Sequence, residues 1–180
     1  MGNGTSIMAS IPYLFCSDNI DMTRINNYRF NMDTMTSFEG DTGPYLQYSH
    51  ARLCSIFSKA EIPISEIESA NLSLLVEPHA VNVVRIVAQF PDTVQNTLKT
   101  LEPTTILTYL FRLTHAVNSS YDVLQVVGSE RELMKARLAL YDAARTTLNN
   151  GMRLLGLRPV DRYAEFSLSF YCKTNRVSRM

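Results

Sequence analysis

Residues 38–57, FEGDTGPYLQYSHARLCSIF, contain the clearest transition from loop to helix in this chain. Gly40 and Gly43 lie in the loop part. Pro44 suits the first turn of a helix, because its φ angle is preset and its missing N–H is not needed there. Residues 45–60 contain no glycine or proline that would break a helix. The stretch therefore predicts a helix that begins near Pro44 and continues to residue 60.

At 100° per residue, the predicted helix has two separate faces. One face is an apolar stripe suited to a protein core, and its members are Leu46, Leu53, Ile56, Phe57 and Ala60. The other lies about 110° away around the helix axis. It carries Tyr45, Tyr48 and Arg52, which together are called the tyrosine–arginine face.

The tyrosine–arginine face has two interpretations. Phenol rings stack on unpaired bases, and guanidinium groups stack on bases or pair with phosphate, so the face suits RNA binding. Alternatively, tyrosines at helical spacing pack against a neighbouring helix and leave their hydroxyls at the surface. The spacing alone leaves both interpretations open.

The amino-acid sequence of residues 39–56, EGDTGPYLQYSHARLCSI, indicates a protein family more specifically than the spacing of its residues does. It resembles the segment that opens the helical anticodon-binding domain of arginyl-tRNA synthetase, most closely the eukaryotic cytosolic form. The resemblance implies that Tyr45, Tyr48 and Arg52 lie where that family meets the anticodon loop. It also implies an all-α fold of the class I synthetase anticodon-binding type.

Two later stretches extend the resemblance, which covers residues 24–162. The first reads YLF…LTHA…SSYDVL between residues 109 and 124, and the second is ARLALYDAARTTLNNGMRLLGL from residue 136 onward. By this resemblance His115 and Tyr121 are anticodon-side residues, although Tyr121 is also a candidate core aromatic. His115 lies within about 60° of Asn118 and Asp122 at helical spacing. One histidine without a second histidine or a cysteine nearby is a poor metal site, so we predict no metal there.

Helical patterning elsewhere predicts a single all-α bundle of five or six helices. Expected helices lie at residues 21–37, 79–90, 92–101, 104–127 and 129–150, in addition to the one at 45–60. Ser129 and Glu132 have the spacing of a capping box at the start of the last one. Gly151 and Gly156 are expected to mark stops or turns.

The predicted organisation has three parts. Residues 1–20 form an irregular leader, residues 21–162 the helical domain, and residues 163–180 an atypical C-terminal tail. The family that the chain resembles closes near the position of Arg162, with its terminus beside the anticodon. The eighteen additional residues form a readthrough tail, a disordered arm or a strand-like addition, and each puts that anticodon contact in doubt.

The formal net charge is zero, whereas dedicated nucleic-acid binders are usually basic. The charges are nevertheless uneven: residues 61–102 contain six acids and two bases, and residues 131–162 contain seven bases and three acids. A neutral total therefore permits a basic face.

Three widely separated cysteines, Cys16, Cys54 and Cys172, fit neither a disulfide framework nor a zinc pattern. They predict a reducing, cytoplasmic location. No apolar run approaches the roughly 20 residues of a membrane span, so no membrane partner is predicted.

The HIGH-like and KMSKS-like motifs of class I synthetases do not occur in these residues, and neither does a glycine-rich phosphate loop. We therefore expect no catalytic residues and no cofactor in this chain; ATP and arginine would bind a separate catalytic domain. The leading prediction is a tRNA anticodon-loop binding module of an arginine–tRNA ligase, truncated or paralogous. Its partners would be arginine-specific tRNA and a full-length synthetase or separate catalytic domain. The alternative is a helical protein-interaction module that has lost tRNA binding.

Overall fold

A computed structural model of the chain describes residues 41–60 and 62–162. Within these ranges the ordered elements are helical: α1 (Gly43–Ala60), α2 (Ile64–Glu68), a short 3-10 helix (Leu72–Leu74), α3 (Pro78–Ala88), α4 (Phe90–Thr100), α5 (Thr104–Ser120) and α6 (Arg131–Leu154). The predicted all-α bundle is confirmed. The leader at 1–20, the expected helix at 21–37 and the tail at 163–180 lie outside the described residues.

Helix α6 is the centre of the bundle, because it packs against α1, α2, α3 and α5. The core between these helices is built from fully buried aliphatic side chains together with Tyr141, and its largest members are Leu46, Leu53, Leu107, Leu110, Leu113, Leu138 and Leu148. Helix α4 has no buried residue and packs on the outside of α5.

The predicted core stripe of α1 is correct at its first two positions, because Leu46 and Leu53 are completely buried. Ile56, Phe57 and Ala60 are only partly buried against the core.

The boundary between the last two helices differs from the prediction. Helix α5 ends at Ser120, seven residues earlier than expected, because the chain turns to bury Leu124 and Val126. Helix α6 then begins at Arg131, and the predicted capping box does not form. The Ser129 hydroxyl instead donates to the carbonyl of Gln125 at 2.6 Å.

The turn between α5 and α6 is tied down by Arg137, whose residue surface is only 8% exposed. Its guanidinium donates to the backbone carbonyl of Gln125 at 2.6 Å and to the Ser129 hydroxyl at 3.0 Å. Its other terminal nitrogen binds the Glu77 carboxylate at 2.5 Å, and this hydrogen bond lowers the pKa of that carboxyl. One side chain of α6 therefore joins the turn to the start of α3.

Gly151 lies inside α6 rather than at a stop, so its prediction is wrong. A Cβ atom at this position would clash with the Cδ2 atom of Leu110, and the missing side chain therefore allows α5 and α6 to approach closely. Gly156 has a φ of 75° and forms the turn that was expected there.

We predict that Arg137→Met destabilises the domain far more than Arg131→Met. Arg137→Met removes three hydrogen bonds and leaves the Glu77 carboxylate without its cation, at a cost of about 1.5–3 kcal/mol. The Arg131–Glu66 ion pair is the control, because its side chains are 67% and 35% exposed and surface pairs add little. Urea unfolding of both variants measures the difference, and equal losses would contradict the assignment of Arg137 as the tie.

Candidate nucleic-acid interface

Helix α1 presents the tyrosine–arginine face beside the C-terminal end of α5. Tyr48 is 42% exposed and Arg52 is also exposed, whereas Tyr45 is half-buried. Leu46 and Leu53 on the same helix are completely buried. The predicted separation of this face from the core stripe therefore holds in the structure.

Tyr45 is held by a hydrogen-bonded network that reaches α5. The Asn118 side-chain amide donates to the Tyr45 hydroxyl at 2.6 Å, and this hydroxyl lies 3.4 Å from Nδ1 of His115. Nε2 of His115 lies 2.6 Å from the Asp41 carboxylate, which only accepts, so Nε2 carries a proton. The two rings lie 5.5 Å apart at a tilt of 41°. The predicted site residues Tyr45 and His115 are therefore in contact, while Asp122 is exposed in the turn beyond.

Arg52 and Tyr121 form a stack at the other end of the face. The Arg52 guanidinium carbon lies 4.1 Å from the centre of the Tyr121 ring, and the ring of Tyr141 lies 5.5 Å beyond it. Burial raises the pKa of Tyr121, and its hydroxyl has no hydrogen-bond partner among the described residues. Tyr121 therefore packs against the core through Tyr141, as expected of a core aromatic, and its ring also supports the exposed guanidinium of Arg52.

An open cleft of ≈ 910 Å³ adjoins this stack, and it is lined by Tyr48, Ala51, Arg52, Cys54, Ser55, Phe57, Ser58, Arg145, Asp161 and Arg162. Three of these side chains are guanidinium groups and one is a carboxylate. Arg145 is anchored by the Asp142 carboxylate at 2.6 Å and lies 4.7 Å from the ring of Phe57. The lining is therefore cationic and partly aromatic in a chain whose total charge is zero.

Two buried polar residues of α1, Gln47 and His50, were not predicted. The Gln47 amide donates to the carbonyl of Arg158 at 2.9 Å and accepts from the N–H of Val160 at 3.0 Å. Nδ1 of His50 donates to the carbonyl of Val160 at 2.9 Å. Both side chains therefore bind the backbone of residues 157–162, which are called the C-terminal segment. A sequence signal existed, because His50 falls within about 60° of Leu46 and Leu53 on the helical wheel.

The C-terminal segment also completes a cluster of metal-ligand types. Atoms of His50, Cys54 and Asp161 lie within 4.8 Å of one another. Nδ1 of His50 already donates to a carbonyl, however, and the Cys54 thiol lies 3.7 Å from the Asp161 carboxylate. Burial raises the pKa of this thiol. In this structure His50 binds a carbonyl and Cys54 binds Asp161, so the three groups serve as hydrogen-bonding partners.

The fold is that of the helical anticodon-binding domain of arginyl-tRNA synthetases. Solved structures with this fold include arginyl-tRNA synthetase from Thermus thermophilus, with a TM-score of 0.75 and 25% identity over 87% of this chain. The enzyme from Plasmodium falciparum gives a TM-score of 0.72 and 27% identity over 86% of this chain. This chain covers 26% of each of those proteins.

Residues 46–162 match the DALR anticodon binding domain, and the chain belongs to this family. It is 58% identical over 140 residues to the cytoplasmic arginine–tRNA ligase of Saccharomyces cerevisiae. It is 55% identical over 139 residues to a probable cytoplasmic arginine–tRNA ligase of Schizosaccharomyces pombe. Each match covers 77% of this chain but only 23% and 22% of the relatives, in their C-terminal part. The predicted family is confirmed.

Among the helices at residues 43–154, none combines the length and the apolar character that crossing a bilayer requires.

We predict that His50 makes the domain less stable in mild acid. Burial lowers the pKa of His50 below its ordinary value of 6.5, so the unfolded chain binds more protons between the folded pKa and 6.5. The free energy of unfolding therefore rises with pH through this window and falls on acidification. His50→Asn keeps a donor near the Nδ1 position but does not titrate.

The measurement is urea unfolding of the wild type and His50→Asn at about pH 7.5 and about pH 5.5, on either side of an ordinary histidine pKa. The wild type should lose more stability than the variant between these conditions. All other titrating groups are common to both proteins and cancel in the comparison. An equal loss in both proteins would show that His50 does not contribute.

Proposed function

We propose that this chain binds the anticodon loop of an arginine-specific tRNA through Tyr45, Tyr48, Arg52, His115 and Tyr121. The observation that carries the proposal is that two exposed side chains, Tyr48 and Arg52, line the same cationic cleft. The Arg52 guanidinium lies over the Tyr121 ring. Exposed phenol and guanidinium groups beside a basic cleft suit unpaired bases joined by phosphates. Family membership supports the same ligand.

The five residues have different tasks in this proposal. Tyr48 offers an exposed ring for base stacking, and Arg52 offers either a planar surface or a charge to phosphate. Tyr121 supports Arg52 from below, at a cation–ring distance of 4.1 Å. Tyr45 and His115 form a wall that is already ordered by Asn118 and Asp41, so little side-chain entropy is lost when RNA binds.

The binding serves arginyl-tRNA aminoacylation in translation, in the cytoplasm, only when a catalytic domain is supplied. That domain would belong to a full-length synthetase or to a separate chain, and it would bind ATP and arginine. Support comes from the coverage of 22% and 23% of the arginine–tRNA ligases and from the missing HIGH-like and KMSKS-like motifs. The cytoplasmic location is supported by the same two relatives, which are described as cytoplasmic enzymes.

A helical protein-interaction module that has lost tRNA binding is the competing function, and the neutral total charge is the observation that favours it. In that case the tyrosine–arginine face would keep its packing role while an anticodon stem-loop bound no better than an unrelated hairpin. Binding to isolated tRNA separates the two functions.

We expect the purified chain to show no arginine-dependent exchange between ATP and pyrophosphate. Adenylation needs fixed cationic groups around the phosphates, and the motifs that provide them in class I synthetases do not occur in this sequence. The assay uses a preparation of the chain that is free of host synthetase and compares its exchange rate with that of a no-protein blank. Exchange well above the blank would refute the expectation.

Tyr48→Ala should weaken binding to an anticodon stem-loop about tenfold or more, since a stacked base is worth about 1–3 kcal/mol. Arg52→Ala should also lower the log–log salt slope by about 0.7 if the guanidinium contacts a phosphate of a single strand. Arg52→Lys separates the two roles, because it keeps the charge and loses the planar surface. Arg85→Ala, an exposed arginine of α3 outside the cleft lining, is the charge control.

Circular dichroism and thermal melts of each variant accompany the affinities. Tyr48 and Arg52 lie off the buried Leu46–Leu53 stripe, so both variants should retain the wild-type helicity. A melting point several degrees lower with unchanged affinity for Tyr48→Ala would assign this tyrosine to packing. Equal losses of affinity for Arg52→Ala and Arg85→Ala would indicate a general charge effect rather than a site.

A further inference from the structure

Gln47 and His50 have no place in the cleft lining, yet they control one of its walls. Both side chains are buried, at 0% and 1% exposure, and both bind the backbone of the C-terminal segment. The segment in turn provides Asp161 and Arg162 to the cleft that contains Tyr48 and Arg52. Gln47 and His50 thus contact the backbone of a segment whose side chains line the proposed RNA-binding cleft.

The Gln47 contacts specify a backbone conformation rather than a side-chain identity. The amide oxygen accepts from the N–H of Val160, and the amide nitrogen donates to the carbonyl of Arg158. One donated and one accepted hydrogen bond from the same planar amide fix the direction of the segment as well as its distance from α1. A buried amide, N–H or carbonyl without a partner is costly, so release of the segment would leave these groups unsatisfied.

His50 and Cys54 extend the same attachment. Nδ1 of His50 binds the Val160 carbonyl, and Nε2 lies 3.4 Å from the Asn149 amide of α6. The Cys54 thiol donates to the Asp161 carboxylate at 3.7 Å. The one carboxylate among the cleft's lining residues is therefore engaged by α1, while Arg162 beside it is exposed.

We propose, on the basis of the RNA-binding function above, that Gln47 is a positioning residue: it holds the C-terminal segment so that Arg162 presents its charge to an RNA phosphate across from Arg52. His50 reinforces this role from the next turn of α1. Neither residue contacts the RNA. The contribution of Arg162 to binding therefore depends on the attachment of the segment to α1.

The test is a double-mutant cycle for binding between Gln47→Met and Arg162→Ala in the full chain. Gln47→Met keeps the side-chain length and removes both backbone bonds. In the wild-type background, Arg162→Ala should reduce affinity and lower the log–log salt slope by about 0.7, as expected for one phosphate contact to a single strand. In the Gln47→Met background, Arg162→Ala should change affinity by less than about twofold, the usual margin of additivity.

A second cycle between Gln47→Met and His115→Ala is the matched control. His115 belongs to the Tyr45 network, and the contacts described above do not join it to the C-terminal segment. The effects of Gln47→Met and His115→Ala on the binding free energy should therefore add. A merely structural role for Gln47 would reduce affinity with equal coupling to both partners. If Gln47→Met does not fold, Gln47→Glu replaces it, because it keeps the shape and loses the donor to Arg158 when ionised.

Release of the segment has an independent readout at Cys54. The Asp161 carboxylate lies against this thiol, so Gln47→Met should increase the rate of Cys54 alkylation, measured by peptide mass spectrometry to separate it from Cys16 and Cys172. The proposal is overturned if Arg162→Ala costs the same in both backgrounds, or if alkylation accelerates without loss of affinity. A wild-type chain that does not bind the stem-loop would instead overturn the proposed function, and this proposal with it.

Discussion

The structure depends on the hydrogen bonds of one buried amide, that of Gln47. A polar side chain with no exposure is tolerated in a core only when its donors and acceptors are satisfied. The partners of Gln47 are backbone groups of Arg158 and Val160, more than one hundred residues away along the chain. The chain beyond α6 must therefore return to α1, and this return places the C-terminal segment beside Tyr48 and Arg52.

A related constraint explains how a chain of zero net charge can carry a cationic cleft. Arg52, Arg145 and Arg162 line the cleft against one carboxylate, Asp161, and the second acid of this region, Asp142, pairs with Arg145. Arg52 has an aromatic ring rather than a carboxylate beneath it, at 4.1 Å. An aromatic support holds a guanidinium in place without neutralising it, so the positive charge remains directed to solvent.

Much of the fold and part of the site followed from the sequence. The apolar period of α1 identified Leu46 and Leu53 correctly, and the tyrosine–arginine face follows from the same 100° rotation. The placement of His115 and Tyr121 beside that face came only from resemblance, because it depends on how two helices cross. Helical periodicity also failed where tertiary contacts decide the outcome. Arg137 donates to the Ser129 hydroxyl, and Gly151 lies inside α6, where Leu110 occupies the space that a side chain would need.

Arg137 fixes the turn between α5 and α6 through the carbonyl of Gln125, a group that every amino acid possesses. The shape of this turn thus depends on Arg137 of α6 together with three side chains of the turn, the Ser129 hydroxyl and the buried Leu124 and Val126. Exposed positions such as Asp122, Val123 and Val127 are consequently free to diverge without displacing Tyr121 at the end of α5. Substitutions at these exposed positions can therefore change the surface next to the tyrosine–arginine face while Tyr121 keeps its place beneath Arg52.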